Sequence, residues 1–352
     1  MALTDLPDLP LLTADLSGIG GCLKQKPEDF IVEEIPAYAP SGEGEYLYLW
    51  IEKRDMGAEF FTRQLAQRLQ LRPEDVGTAG LKDRRAITRQ WVSVPAHREP
   101  LLDQLSSDDL RLLEVRRHSN KLKPGHLRGN RFEILVREVH SDAAQHLPAL
   151  LARIQQMGLP NFYGEQRFGR DGETLKLGLA LLAGEPTGRV GSFLRRLALS
   201  AVQSALFNAY VAGRIRDQLF RTVLPGDVMM KWPFGGMFVA EDLPAEQPRL
   251  EQREIIPGGP MFGKKMFRAS GEALLREQQT LEAAGITPTA FQGFGKLLAG
   301  TRRYTFVYPD DLRGEVEAEG IRLWFSLPAG SYATILAREL MHSKQLEADE
   351  RD

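Results

Sequence analysis

The sequence contains one cysteine, no long apolar run and little net charge. With Cys22 alone, no intramolecular disulfide can form, and a reducing compartment is the simplest interpretation. No apolar run approaches the about 18 residues that a membrane helix needs. Residues 1–12 hold acidic residues and prolines where a signal peptide would have a basic start and an apolar core. These features predict a cytoplasmic protein that is not attached to a membrane.

Several catalytic and cofactor-binding motifs are also missing. None of the six histidines has H-E-x-x-H or paired spacing, so no zinc site is expected with a single cysteine available. No G-x-S-x-G nucleophile motif occurs. Residues 258–265 nearly match a phosphate-binding loop, but Lys265 replaces the Mg²⁺-binding hydroxyl and Pro260 removes an amide. We therefore predict a tight turn at 258–265, and neither a metal nor a cofactor.

The charge distribution restricts where a nucleic acid could bind. Because the formal net charge is −2, attraction would have to come from a local basic patch. Residues 111–131 form one, in which a single acid, Glu114, accompanies seven cations: Arg111, Arg116, Arg117, Lys121, Lys123, Arg128 and Arg131. Glycine and proline in this segment predict a loop, and loops often carry binding contacts. The alternative is a solvated surface with no binding role.

The hydrophobic pattern predicts an α+β fold. Short β-prone runs occur at 30–35, 46–51, 91–94, 112–116 and 132–136. Amphipathic helices are predicted at 58–71 and 143–157. After residues 158–160 the chain becomes mostly helical, and strand character returns from about 305, before a closing helix at about 331–346. This order predicts a split domain, 1–157 and 307–352, with a largely helical insertion at 158–306.

The segment 80–90 carries the most distinctive chemistry. It begins at Gly80 and places one carboxylate, Asp83, among four cations: Lys82, Arg84, Arg85 and Arg89. Nearby positive charge favours the ionised form of a carboxylate, and the same cations attract a polyanion. One interpretation is a nucleophilic or basic aspartate that acts on a nucleic acid. The other is a solvated turn in which Asp83 offsets its neighbours.

Four ordered segments resemble a known family. The pattern Gly80-x-Lys82-Asp83-x-x-Ala86-x-Thr88-x-Gln90 resembles the signature of the tRNA pseudouridine synthase D (TruD) family. Segments 24–34, 161–169 and 327–334 resemble the N-terminal, central and C-terminal motifs of that family. The resemblance spans nearly the whole chain. It implies a pseudouridine-synthase-like catalytic domain with a central mixed or antiparallel sheet, plus a largely helical inserted TRUD domain.

The resemblance also implies roles for individual residues. It places the catalytic carboxylate at Asp83, the base-stacking ring at Phe30 and the substrate-contacting amide at Asn130. Tyr332 stands where the family commonly has phenylalanine, so an aromatic ring is kept and a hydroxyl is added.

Pseudouridine synthases pair their catalytic aspartate with a cation. Lys24 is our candidate for this partner and Lys82 is its competitor, and the sequence does not separate the two.

The implied reaction converts uridine 13 of certain tRNAs to pseudouridine. It involves no redox change and transfers no outside group, so no cofactor or metal is expected, and tRNA is the only partner that the sequence suggests. The aspartate could attack C1′ or remove the 2′ proton, and both routes remain open. Two rival functions are a non-catalytic RNA-binding module, which would not need Asp83, and a nucleotidase that uses 258–265 with Mg²⁺.

Overall fold

The computed structural model describes residues 8–343, which divide into two compact units. The first, here called the helical unit, comprises Gln156–Val307 with Thr334–Leu336 and the described part of Met1–Ala14. The second, called the sheet unit, comprises Asp15–Gln155, Tyr308–Ala333 and the described part of Ala337–Asp352.

The helices follow the periodic apolar segments of the sequence. In chain order they are α1 (Ala58–Arg68), α2 (Ala143–Met157), α3 (Glu173–Ala183), α4 (Ser192–Arg216), α5 (Leu243–Glu251), α6 (Gly271–Ala283) and α7 (Ala333–Met341). The predicted bounds of α2 are confirmed. The predicted closing helix corresponds to α7, and its last predicted residues, 344–346, lie outside the described part of the chain. Every helix within 8–343 is too short or too polar to cross a bilayer.

The strands are short, as the β-prone runs predict. They are β1 (Gly20–Cys22), β2 (Phe30–Pro36), β3 (Tyr46–Arg54), β4 (Gly77–Thr78), β5 (Ile87–Pro95), β6 (Leu110–His118), β7 (Leu127–Val139), β8 (Leu159–Pro160), β9 (Val228–Lys231), β10 (Met237–Val239), β11 (Ile255–Met261), β12 (Thr301–Tyr304), β13 (Phe306–Val307), β14 (Asp310–Glu317) and β15 (Gly320–Pro328). The sequence did not indicate β14, whose exposed residues interrupt the apolar pattern.

One mixed sheet organises the sheet unit. Its strand order is β14-β15-β7-β2-β5-β3-β6, with β1 paired to β7 and β4 paired to β5. The pair β2–β5 is parallel and the other pairs are antiparallel. Helix α1 covers part of one face, where Phe61 and Leu65 join Leu49 and Ile51 of β3 in an apolar core. The predicted α+β class with a central mixed sheet is confirmed.

One row of paired residues runs across the five strands β3, β5, β2, β7 and β15 of this sheet. Strand register places Lys53 opposite Thr88, Thr88 beside Val32, Val32 opposite Phe132, and Phe132 opposite Phe325. Residues that pair across neighbouring strands project from the same face of a sheet. We call this face, from β3 to β15, the site face.

The helical unit contradicts half of one prediction. Residues 258–261 belong to β11, a strand buried along its whole length, and the turn predicted for 258–265 begins only at Gly263, whose carbonyl accepts from the Met266 amide. The glycines are there because neighbours approach closely: a Cβ on Gly259 would lie 2.7 Å from the Phe207 ring, and one on Gly258 would lie 2.9 Å from Met230. A buried strand cannot wrap around a phosphate. Residues 258–261 therefore do not form the phosphate-binding loop that the nucleotidase hypothesis requires.

The basic segment 111–131 is also more regular than predicted. Most of it lies in β6 and β7, and only residues 119–126 connect the two strands. Asn130, which falls within the predicted loop, pairs with Glu34 of β2 and Leu327 of β15. Gly129 precedes it in the strand because a Cβ there would lie 2.3 Å from the Leu327 carbonyl oxygen.

Candidate active site

Asp83 lies in the loop that joins β4 to β5, with its side chain half-buried. Two buried lysines hold this loop to the sheet. The Lys53 ammonium donates to the main-chain carbonyl of Asp83, with 3.1 Å between the Nζ and O atoms. The Lys82 ammonium donates to Glu34 of β2, with 2.8 Å between the Nζ and Oε2 atoms. The acidic residue is therefore anchored to β3 on one side and to β2 on the other.

The Lys82–Glu34 pair is almost completely buried, with side-chain exposures of 3% and 1%. The second oxygen of Glu34, Oε1, is buried and has no hydrogen-bond partner among residues 8–343. Asn130 lies directly opposite Glu34, and its buried Oδ1 atom also has no hydrogen-bond partner among residues 8–343. Buried polar atoms normally have partners, and these two are acceptors side by side. A ligand that presents N–H or O–H groups would satisfy them only after the side chains that cover them move aside, because neither atom is accessible in this structure.

Phe30 belongs to an aromatic cluster on the same face. Its ring meets Phe132 edge to face at 6.2 Å, and Phe132 stacks on Phe325 at 5.2 Å. Phe30 is 1% exposed, and the Lys24 ammonium lies 4.5 Å from the centre of its ring. The ring is thus a core element in this structure. A base could stack on it only after Lys24 moves away, so the stacking role remains a prediction.

The C-terminal motif meets this face through β15. Leu327 and Pro328 pair with Asn130 and Gly129 of β7. Tyr332 follows the strand, immediately before α7, and is half-buried. Three of the four motif segments therefore reach one sheet, on β2, β5 and β15, with β7 between β15 and β2. The substrate contact predicted for Tyr332 stays a prediction.

The sequence left Lys24 and Lys82 as alternative cations for Asp83. In the structure Lys82 pairs with Glu34, while Lys24 lies over Phe30. The pairing of either lysine with Asp83 remains a prediction. Two further charged residues, Lys53 and Glu34, hold the Asp83 loop and are candidate site residues that the sequence did not single out.

The chain that contains these site segments was compared with sequence models of known protein families. The model described as tRNA pseudouridine synthase D (TruD) matches residues 8–194 and 188–340. The chain belongs to the TruD family. It is 46% identical to tRNA pseudouridine synthase D of Anaeromyxobacter sp. (strain Fw109-5), with 98% of this chain and 100% of that protein covered. It is 42% identical to tRNA pseudouridine synthase D of a Thermus thermophilus strain, with 96% and 93% covered.

A solved structure supports the fold. The crystal structure of a protein from Methanosarcina mazei assigned to tRNA pseudouridine synthase D (TruD) matches with a TM-score of 0.78, at 24% sequence identity. The match covers 95% of this chain and 96% of the other. It shows that this TruD-family chain shares the fold of that protein.

The central TruD motif, 161–169, lies in the helical unit and has structural contacts there. Arg303 lies 4.1 Å from the centre of the Tyr163 ring and donates to the Asn161 side chain, with 2.6 Å between Nη2 and Oδ1. The Asn208 side chain bonds the main chain of Tyr163 in both directions. These contacts tie the motif to α4 and β12.

Several cations of the basic segment already have carboxylate partners. Arg116 pairs with Glu114 at 2.5 Å, and Arg117 pairs with Glu99. Arg131 pairs with Glu33 of β2 at 2.9 Å. An RNA phosphate would have to compete with these carboxylates, so an RNA contact at 111–131 remains a prediction.

Phe30 provides a test that separates packing from catalysis. Phe30→Ala should lower the free energy of unfolding by about 3–5 kcal/mol, because the ring is buried. Phe30→Leu keeps an apolar side chain but removes the flat face. If this face stacks on the base, a contact of about 1–3 kcal/mol, kcat should fall roughly 5- to 150-fold. Phe207→Leu, at a fully buried phenylalanine of the helical unit, is the matched control. Equal kcat in the two leucine variants at comparable melting temperatures would restrict Phe30 to packing.

Proposed function

We propose that this chain converts uridine 13 of tRNA to pseudouridine, with Asp83 as the catalytic carboxylate. The main support is the arrangement around Asp83. Two buried lysines anchor its loop, one of them through Glu34, and Glu34 and its strand neighbour Asn130 each carry a buried acceptor without a partner among residues 8–343.

The reaction is an internal rearrangement. The C1′–N1 bond breaks, the uracil turns, a C5–C1′ bond forms, and the proton lost from C5 is balanced by one gained at N1. An enzyme for this reaction needs an ionised carboxylate near C1′ or C2′, and groups that hold the detached base. Asp83 supplies the carboxylate, either by attack on C1′ or by removal of the 2′ proton.

One of the unpaired acceptors, on Asn130, suits the single donor on the hydrogen-bonding edge of uracil. Uracil carries an N3–H donor between two carbonyl oxygens, and an asparagine side chain can accept from one group while donating to another. Asn130 therefore suits the uracil edge, and its Oδ1 atom has no partner within residues 8–343. Because the target base must leave the stack to reach such a site, we expect the uridine to be flipped out of the RNA.

The remaining residues and segments have supporting roles in this reaction. Lys24 or Lys82 balances the charge of Asp83, and Phe30 and Tyr332 provide ring surfaces for the flipped base. The segment 158–306 is an inserted TRUD domain within a catalytic domain formed by 1–157 and 307–352. The enzyme works in the cytoplasm, where its tRNA substrate is found, without a metal or cofactor.

An assay with purified protein tests this function. The protein is incubated with a transcribed tRNA that has uridine at position 13 and with a matched transcript that has cytidine there. Mass-resolved mapping then locates any pseudouridine. We expect one pseudouridine at position 13 of the first transcript and none in the second. Pseudouridine elsewhere would contradict the position, and no pseudouridine in either transcript would contradict the function.

The basic segment predicts a salt effect on tRNA binding. The logarithm of the binding constant falls linearly with the logarithm of the salt concentration. Each phosphate that the protein no longer neutralises should make this slope shallower by about 0.7–0.9, because fewer counterions are released. The change is the neutralisation of four residues: Arg116, Arg117, Lys121 and Lys123. Binding should weaken and its salt dependence should flatten, while single-turnover chemistry at saturating tRNA should change little.

A matched control for the salt experiment neutralises Arg63 and Arg72, which are exposed and also paired with carboxylates in the sheet unit. This control should leave the slope unchanged. An unchanged slope in the four-residue variant between about 50 and 200 mM salt would place the RNA path elsewhere.

A further inference from the structure

Lys53 is a lysine with no exposed surface, on the site face of β3. Strand alternation places it in phase with Leu49 and Ile51, so its side chain enters the core under α1. Its ammonium bonds two main-chain carbonyls, those of Met56 and Asp83. Within residues 8–343 it forms no ion pair. Buried lysines without a carboxylate partner are rare, because burial penalises the charge.

The charges around Lys53 come from the Asp83 loop and from the end of its own strand. Burial lowers the pKa of Lys53 from 10.5 to about 8, against the opposing effects of the Asp83 and Asp55 carboxylates. The positive charge of Lys82 lowers it further. The other neighbours are uncharged: Thr88 lies opposite on β5, and the Phe61 ring of α1 lies 6.0 Å away.

We propose that Lys53 is a positioning residue for pseudouridine formation, whose protonated ammonium holds the main chain of Asp83 so that the carboxylate meets the ribose. This inference rests on the proposed function. One of the two bonded carbonyls, that of Asp83, connects the Asp83 loop directly to the strand β3, and the other, that of Met56, holds the ammonium at the end of the same strand.

Stability alone does not account for a lysine at this position. A methionine would fill a similar volume without bringing a charge into the core, and replacing buried charges with apolar groups is often neutral or stabilising. The ammonium does something that methionine cannot: it fixes the position of Asp83. A displacement of about 1 Å at a reacting group can reduce the rate about a hundredfold.

The test compares Lys53→Met with the wild-type protein in a single-turnover pseudouridine assay. We expect the rate constant at saturation to fall by roughly 100-fold while the half-saturating concentration changes by less than about twofold. The melting temperature should change by only a few degrees, because the loss of two hydrogen bonds is offset by the removal of a buried charge. Val94→Ala, in the same apolar core, serves as the control for destabilisation. It should lower the melting temperature and leave the rate constant unchanged.

The pH dependence gives a second readout that a purely structural lysine would not produce. As pH rises through about 8, Lys53 loses its proton, so the wild-type rate constant should fall toward that of Lys53→Met. The variant should show no such decrease near pH 8. The free energy of unfolding should rise over the pH range in which the rate constant falls. Between pH 8 and 10.5 the folded protein binds fewer protons than the unfolded chain at this site, so wild-type stability rises relative to the variant.

The outcomes separate this inference from the proposed function. If the wild-type protein forms pseudouridine and Asp83→Asn does not, the function stands. A Lys53→Met rate within about threefold of wild type would then overturn the role of Lys53 alone. A rate loss that only follows the melting temperature, as in a destabilised core variant, would overturn it as well. If Lys53→Met does not fold, Lys53→Gln and the wild-type pH profile provide the same comparison. A wild-type protein that makes no pseudouridine would overturn both proposals.

Discussion

Asp83→Asn should reduce pseudouridine formation to background while the protein still folds and binds tRNA. The change keeps the size and hydrogen-bonding capacity of the side chain but removes its negative charge, so neither attack on C1′ nor removal of the 2′ proton can occur. Removal of one residue of a catalytic triad reduces kcat by about 10⁴- to 10⁶-fold. The side chain is half-buried, and the bond from Lys53 goes to the main chain, so the loop should keep its anchor.

Single-turnover kinetics, a tRNA-binding isotherm and a melting curve check this prediction together. Asp83→Glu should also be strongly impaired, because the longer side chain displaces the reacting oxygen by about 1 Å. Asp108→Asn, at an exposed aspartate of the sheet unit, is the matched control and should behave as wild type. Sustained turnover by the Asp83→Asn protein would remove Asp83 from the chemistry.

The buried pair Glu34–Lys82 predicts the largest effect on stability. Removing one partner leaves the other as an uncompensated buried charge, which destabilises proteins by about 3–5 kcal/mol. Glu34→Gln and Lys82→Met should each produce a loss of this size in urea unfolding. The double variant has neither charge of this pair, so it should recover much of the lost stability and reveal a coupling energy of more than about 2 kcal/mol.

The double variant also separates stability from activity. Its loop has lost the anchor to β2, so we expect low turnover even after stability returns. The exposed pair Arg63–Glu59 is the matched control, with side-chain exposures of 64% and 81%. Glu59→Gln should change the free energy of unfolding by less than about 1 kcal/mol. Additive losses at Glu34 and Lys82 would contradict a direct interaction between the two charges.

Much of the fold could be predicted because local patterns and tertiary packing agree. The helix at 143–157 has a continuous apolar stripe, and its predicted bounds are those of α2. One error occurred where glycine serves packing. Gly258 and Gly259 suggested a turn, yet in β11 they make room for Met230 and Phe207.

The two missed site residues left a signal in the sequence. Lys53 occupies the apolar phase of β3, and Glu34 occupies the same phase of β2 as Phe30 and Val32. A charged residue in the apolar phase of a strand indicates a buried charge with a specific partner. The partner itself could not be predicted, because Lys82 is 48 residues from Glu34 in the chain. The register of β2 and β5 pairs residues 31–33 with 87–89, so it is the path of the loop between β4 and β5 that carries Lys82 to Glu34.

The most direct test of the central claim is pseudouridine mapping at position 13 of cellular tRNA. Cells with the gene, cells without it, and deleted cells that carry either the wild-type gene or the Asp83→Asn variant are compared by mass-resolved mapping. Pseudouridine 13 should be present with the gene, absent without it, restored by the wild type and not restored by the variant. Pseudouridine 13 that persists after deletion, or that returns with Asp83→Asn, would contradict the account.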